Sequence, residues 1–171
     1  MQNVPESVRD ALATSYRALP SVADDARRYA QAVLSGRKVD EYRTLGLLTK
    51  DQATIIALIT ISDAVSLNSY DWAFDASTVR KVLKDHGDDA AEAKQGQSGV
   101  SADDYSLLPK IISDPDKIED AGKSDVGRPI VRVIKRIGDV TYVLAMEVRS
   151  GRKMLALQSM WKLGRPPSLR P

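Results

Sequence analysis

Pro129-Ile130-Val131-Arg132-Val133-Ile134-Lys135-Arg136-Ile137 leads through Gly138-Asp139 into Val140-Thr141-Tyr142-Val143-Leu144-Ala145-Met146-Glu147-Val148-Arg149, and Ser150-Gly151-Arg152 leads on to Lys153-Met154-Leu155-Ala156-Leu157-Gln158-Ser159-Met160-Trp161-Lys162. These are three runs dense in β-branched and aliphatic side chains, the composition of strands. Connections of two and three residues bearing glycine make hairpins. The stretch therefore predicts a three-stranded antiparallel meander. Side chains alternate between the two faces of a strand. Val131, Val133 and Ile137 thus share a face with Lys135, and Leu155 and Leu157 share one with Ser159 and Trp161. Glu147 falls with Thr141 and Val143. A lysine and a serine interrupt apolar faces near strand ends. Either they line a cleft at the rim of the core, or Lys135 snorkels to water and Ser159 bonds a neighbouring strand.

Working backwards from the meander, the pattern turns helical. Ser101-Ala102-Asp103-Asp104 reads as a capping box opening a helix through Tyr105, Leu107, Leu108, Ile111 and Ile112, with Pro109 expected to kink or break it. Asp88 to Gly99 is polar and reads as an exposed loop. Ser77 can cap a helix with Val79, Val82 and Leu83 on its apolar side, ending at Asp85-His86-Gly87. There His86 can interact with the helix dipole, while the glycine can take a left-handed C′ conformation. Equally, an imidazole that titrates near neutrality can act as an acid/base.

The first 75 residues also read as helical. Val8, Leu12, Tyr16 and Leu19 form one stripe ending at Pro20. Ser21 with Asp24 suggests a second capping box, closed by Gly36. Asp51 to about Leu67 is ambiguous between helix and strand, and its length favours helix. The expectation is an α+β chain: a helical N-terminal region over residues 1–75, then a domain over 76–171 that sets helices against an antiparallel sheet.

Charge sharpens this division. Residues 1–75 hold 8 basic and 10 acidic side chains, residues 76–122 hold 6 and 10, and residues 123–171 hold 11 and 3, a local balance of +8 within a chain of net +2. A basic last third is either a site for a polyanion or a solvated face. With no cysteine and one histidine, disulfides, thiolate metal sites, a cysteine nucleophile and any two-imidazole mechanism are excluded. No metal and no cofactor are expected. The N-terminus lacks the basic flank and apolar core of a secretory signal. The longest apolar run, Ala53–Ile61, is far short of the ~20 residues a membrane helix needs. A soluble chain is expected, acting in a cytoplasm, in a phage virion or after delivery into a target cell.

Taken in order, several pieces resemble the phage variety of the barnase/EndoU/colicin/RelE-like nuclease family. Val79–Gly87 resembles the family's opening helix, which ends in His-Gly. Gly96-Gln97, Ser101–Tyr105 and Leu108–Asp116 are similar to its middle helix, with an acidic start, Leu-Pro, paired aliphatics and then Pro-Asp. Tyr142-Val143 through Glu147–Arg149 resembles the central strand. Gln158–Lys162 resembles the closing strand, where serine or threonine precedes an aromatic. The likeness covers about 77–162 and implies a metal-independent endoribonuclease, with tRNA among its conceivable substrates, in which a 2′-hydroxyl attacks to leave a 2′,3′-cyclic phosphate. It implies His86 as acid/base and Lys135 on the phosphate, with Arg149 in support. Ser159 would donate to a phosphate oxygen and Glu147 would be a second acid/base. Tyr105 or Trp161 would stack on bases, and Arg132 and Lys162 would add substrate contacts. A single histidine departs from the two-histidine scheme and favours a barnase-like or lysine-assisted division of roles.

The partners implied are RNA and, for a toxin, an immunity, antitoxin or phage protein whose acidic surface covers the basic region. Oligomeric state is not written in the sequence. The alternatives are a phage structural or accessory protein that binds nucleic acid or capsid partners without turnover, and a plain protein-binding module.

Overall fold

The computed structural model describes residues 4–60 and 67–164. The chain runs α1 (Glu6–Ala18), α2 (Pro20–Leu34), β1 (Tyr42–Leu47), α3 (Lys50–Thr60), β2 (Asp71–Asp75), α4 (Ala76–His86), α5 (Asp89–Ala93), β3 (Gln97–Ser98), a 3-10 turn (Ala102–Leu107), α6 (Leu108–Ser113), β4 (Lys117–Lys123), β5 (Pro129–Ile137), β6 (Val140–Arg149) and β7 (Met154–Leu163). The class is α+β, with N-terminal helices preceding the sheet. The expected meander is present as β5–β6–β7, and it is the middle of a larger sheet ordered β1-β2-β7-β6-β5-β4, with β3 pairing the far end of β7. All pairs are antiparallel except β2 with β7, which run parallel.

Two strands lie within residues 1–75, where helices alone were expected. In β2, Trp72, Ala73 and Phe74 are all fully buried, so neither face is polar and the alternation that marks a half-buried strand is missing. β4 escapes for the opposite reason. Its charged residues suit an edge strand that must not pair further. The polar stretch 88–99 contains α5 and β3 rather than only loop.

The helix ends differ in detail from expectation. No Ser21/Asp24 box forms, because α2 begins at Pro20 with Leu19 as its cap. Proline suits a first helical position, and Asp24 instead pairs with Arg27 and Arg28. Gly36, at φ +72°, does close α2. The cap of α4 is Asp75, not Ser77. Gly87 is not left-handed, at φ −88°. A Cβ there would lie 2.2 Å from the Leu83 carbonyl oxygen, so it is close approach that requires the glycine. The box at Ser101 and Asp104 forms, and the helix divides near Pro109 as that residue demands. The predicted third helix is described as far as Thr60; Ile61, and the tail from Arg165, lie outside the described residues.

One face of the sheet holds the core. Ala26, Tyr29 and Ala30 of α2, Ile56 of α3, Trp72 and Phe74 of β2, Val79 and Val82 of α4, Tyr105, Ile111 of α6 and the inward rows of β5–β7 form one cluster, which crosses residue 75. The Trp72 indole donates to Gln52 Oε1 (3.1 Å), and Gln52 Nε2 donates to the Ile112 carbonyl (2.6 Å). These bonds satisfy the polar groups that α3 carries into the interior.

A bulge corrects the expected parity of β7. Ala145 pairs with Ser159 but Met146 pairs with Leu157, so Gln158 is an extra residue. One extra residue exchanges the faces beyond it. Ser159 and Trp161 therefore lie on the face opposite Leu155 and Leu157, and opposite Lys135. Among the described residues no helix is long and apolar enough to cross a membrane.

Candidate active site

The face opposite the core is crossed by two rows of paired residues. One runs Ile130–Glu147–Ala156–Ala73–Thr44, and the next runs Glu119–Arg132–Ala145–Ser159. The alanines matter most. Ala73 and Ala156 form a small cluster with Met154, against which Tyr42 packs. Their short side chains make a low floor between β6 and β2, and Arg149 reaches over it. Its Nε donates to Glu147 Oε1 (2.7 Å), and its Nη1 donates to Asp75 Oδ2 and to the Tyr42 hydroxyl (3.3 Å each). Arg128, entering β5, also donates to Glu147 Oε1, at 3.3 Å.

Each acid is held by more than an arginine. Asp75 ends β2 and caps α4, its Oδ1 accepting from the Thr78 amide (2.7 Å) and the Ser77 hydroxyl (2.8 Å). Burial pushes the Asp75 carboxyl up, but these bonds and Arg149 outweigh it and hold the group below its usual value. Burial likewise raises Glu147, while Arg149, the Ser124 hydroxyl and Arg128 bring it below the ordinary range. Burial disfavours the Arg149 cation, and the two carboxylates more than restore it. The network is thus an ionised carboxylate pair bound to a cation that stays charged.

A cleft of about 610 Å³ opens over this network, between the 37–42 segment, the start of α4 and Arg128. Its walls carry Arg37, Lys38, Arg80, Arg128 and Arg149 against Asp40, Glu41 and Asp75. A smaller recess beside it adds Arg152. The excess of guanidinium groups suits a phosphate, whose oxygens match their paired donors.

The residues singled out from sequence divide between this cleft and other places. Arg149 lines it, and Glu147 lies buried beneath it, bonded to Arg149 and Arg128. Ser159 is on the same face, opposite Ala145, two residues from Glu147. Arg132 lies in that row, exposed and beside Glu119 at 3.7 Å. Trp161 is farther along β7, its ring 6.1 Å from that of His86. His86 Nδ1 is 3.2 Å from the buried Glu92 carboxylate. Asp75 and His86 stand at opposite ends of α4, whose 11 residues separate them by roughly 15 Å at about 1.5 Å each. The histidine is therefore not at the Glu147–Arg149 centre.

Three of the expected site residues lie away from this cleft. Lys135 is on the core face with Val131 and Val133, and its ammonium donates to the Asp114 carbonyl (2.6 Å) and carboxylate (3.2 Å) at the end of α6. Lys162 is likewise on the core side, 3.0 Å from Asp104, which also accepts from the Tyr142 hydroxyl (2.9 Å). Tyr105 is 0% exposed against Phe74, so it cannot stack on a base.

Sequence reasoning missed Asp75, Arg128 and Tyr42. Asp75 had a signal: an aspartate three residues before Thr78 is a natural N-cap. Arg128 had only its place in the basic third. Tyr42 had none, since it reaches the site through the β1–β2 register alone.

A model of the family described as phage-Barnase-EndoU-ColicinE5/D-RelE like nuclease3 matches residues 52–165, two-thirds of the 171-residue chain. No curated protein and no solved structure matches it.

Proposed function

The chain belongs to the phage-Barnase-EndoU-ColicinE5/D-RelE like nuclease3 family, which supports a nuclease function, and from that premise we propose that it cleaves RNA without a metal ion at the Glu147–Arg149 cleft. The observation that carries this reading is a carboxylate set between two guanidiniums beneath a cationic cleft. RNA holds its own nucleophile, the 2′-hydroxyl, so cleavage needs only a base, an acid and positive charge on the pentacoordinate phosphorus. Arg149 and Arg128 supply the charge. The Arg128 side chain is 52% exposed, free to turn from Glu147 onto an incoming phosphate. That turn uncovers the carboxylate and makes it a better base, because a cation that held its charge has left. Ser159, on the same face of the sheet, would donate to a neighbouring phosphate, and a base would stack farther along β7 at Trp161, beside His86. In this reading the protein is a toxin or phage-borne effector, kept in check by a partner with an acidic face.

The test is incubation with total RNA in EDTA, comparing wild type, Glu147→Gln and His86→Ala on a denaturing gel. Wild type is expected to leave 2′,3′-cyclic phosphate ends, Glu147→Gln to be slower by about 100-fold or more, and His86→Ala to stay within a few-fold. Loss of cleavage in His86→Ala alone would move the chemistry to the far end of α4.

A second reading rests on the same network: a carboxylate this fully paired and ionised is a weak base, which suits a protein that grips nucleic acid without turnover. Intact RNA together with salt-sensitive binding in all three proteins would establish that reading instead.

A further inference from the structure

Resting on the ribonuclease reading above, the geometry points to Tyr42 as a catalytic residue, the proton donor to the departing 5′-oxygen. Displacement at phosphorus is in line: the attacking and leaving oxygens stand on opposite sides of the phosphoryl group. The group that takes a proton and the group that gives one must therefore flank the cation that holds the phosphate. Arg149 is flanked in this way. Glu147 is bonded to its Nε, and the Tyr42 hydroxyl is bonded to its Nη1.

The other groups around Arg149 fail as donors. Asp75 is held ionised and has no proton to give, and the Ser77 hydroxyl already donates to Asp75. The arginines hold their protons too tightly. His86 is at the other end of α4, and Lys135 is on the other face of the sheet. Tyr42 lines both the cleft and the recess beside it. Its oxygen accepts from Arg149 and, among the described residues, donates to no hydrogen-bond partner. Arg152 lies 4.9 Å from its ring centre. The two guanidiniums meet the negative charge that gathers on the phenol as its proton leaves.

The step balances. Glu147 takes the proton of the 2′-hydroxyl, the 2′-oxygen bonds to phosphorus, the bond from phosphorus to the 5′-oxygen breaks, and Tyr42 protonates that oxygen. The products are a 2′,3′-cyclic phosphate and a 5′-hydroxyl, and solvent carries the proton from Glu147 back to Tyr42. Tyr42 lies outside the matched segment 52–165, so this assignment makes the N-terminal part of the chain a contributor to the chemistry.

The test uses an RNA oligonucleotide with an ordinary linkage and the same oligonucleotide with sulfur in place of the bridging 5′-oxygen. A thiolate leaves without protonation. Tyr42→Phe is expected to slow the ordinary linkage about 100-fold or more and to cleave the sulfur linkage near the wild-type rate, while Glu147→Gln slows both. Equal slowing of both linkages by Tyr42→Phe would show a merely structural tyrosine, and unchanged rates would remove it from the reaction. Wild type inert on both substrates would overturn the ribonuclease reading and this assignment with it. As a second measurement, a fluorinated tyrosine placed at 42, which keeps the ring and its hydroxyl, should change the rate on the ordinary linkage and leave the sulfur linkage unchanged. An unchanged rate on the ordinary linkage would overturn the assignment even if Tyr42→Phe folds poorly.

Discussion

Glu147 is 3% exposed and survives there as an anion because two arginines and Ser124 share it. Removing its charge leaves Arg149 and Arg128 facing a neutral amide, so Glu147→Gln should destabilise the fold by about 3 kcal/mol in urea titration, the cost of breaking a buried pair. The effect must depend on pH. A carboxyl whose folded value lies below its unfolded one contributes fully above the unfolded value, about 4.3 for a glutamate, and loses that contribution as pH falls through the folded value. Thermal melts of wild type and Glu147→Gln should therefore converge in acid and separate again toward neutrality; a constant gap would mean that packing, not charge, is what the substitution disturbs. Lys135 makes the contrasting prediction. Its work is to satisfy the Asp114 carbonyl, so Lys135→Met should cost about 1–2 kcal/mol and leave RNA cleavage intact. Alternation along β5 already placed Lys135 with Val131 and Val133, and alternation along β6 placed Glu147 with Thr141 and Val143. What one strand's periodicity could not show was which face holds the chemistry, because that depends on where the helices pack.

At the scale of elements, the bulge at Gln158 decides what β7 presents. Without it Ser159 and Trp161 would point into the core among Leu155 and Leu157, as strict alternation predicts. Deleting Gln158 should force them inward or tear the end of β7 from β6. Either outcome should cost at least about 3 kcal/mol and shift tryptophan emission, and a near-native melt would show that the register corrects itself elsewhere. The meander was legible because turn residues punctuate it at Gly138-Asp139 and Ser150-Gly151-Arg152. The bulge was not, since one inserted residue leaves no mark on composition. β2 was hidden by Trp72-Ala73-Phe74 being buried on both sides, and β1 has too few buried positions to stand out, with Leu45 its one buried side chain.

At the scale of the molecule, charge and fold agree. The +8 of residues 123–171 is not spread at random: Arg128, Arg149 and Arg152 come to one end of the sheet, where Arg37, Lys38 and Arg80 join them from earlier in the chain. Arg80→Ala should weaken RNA binding about equally across sequences and lower the slope of log affinity against log salt by about 1; a sequence-dependent loss would instead mark Arg80 as a base reader. The cleft has a further property that follows from where its parts lie. Tyr42 and Arg149, which bond each other directly, are 107 positions apart, and β2 finds its place only by pairing with β7. During synthesis the first half of the site leaves the ribosome long before the second, and until β7 docks there is no surface on which the two can meet. A nuclease built this way has no assembled site on the nascent chain until β7 has emerged and docked.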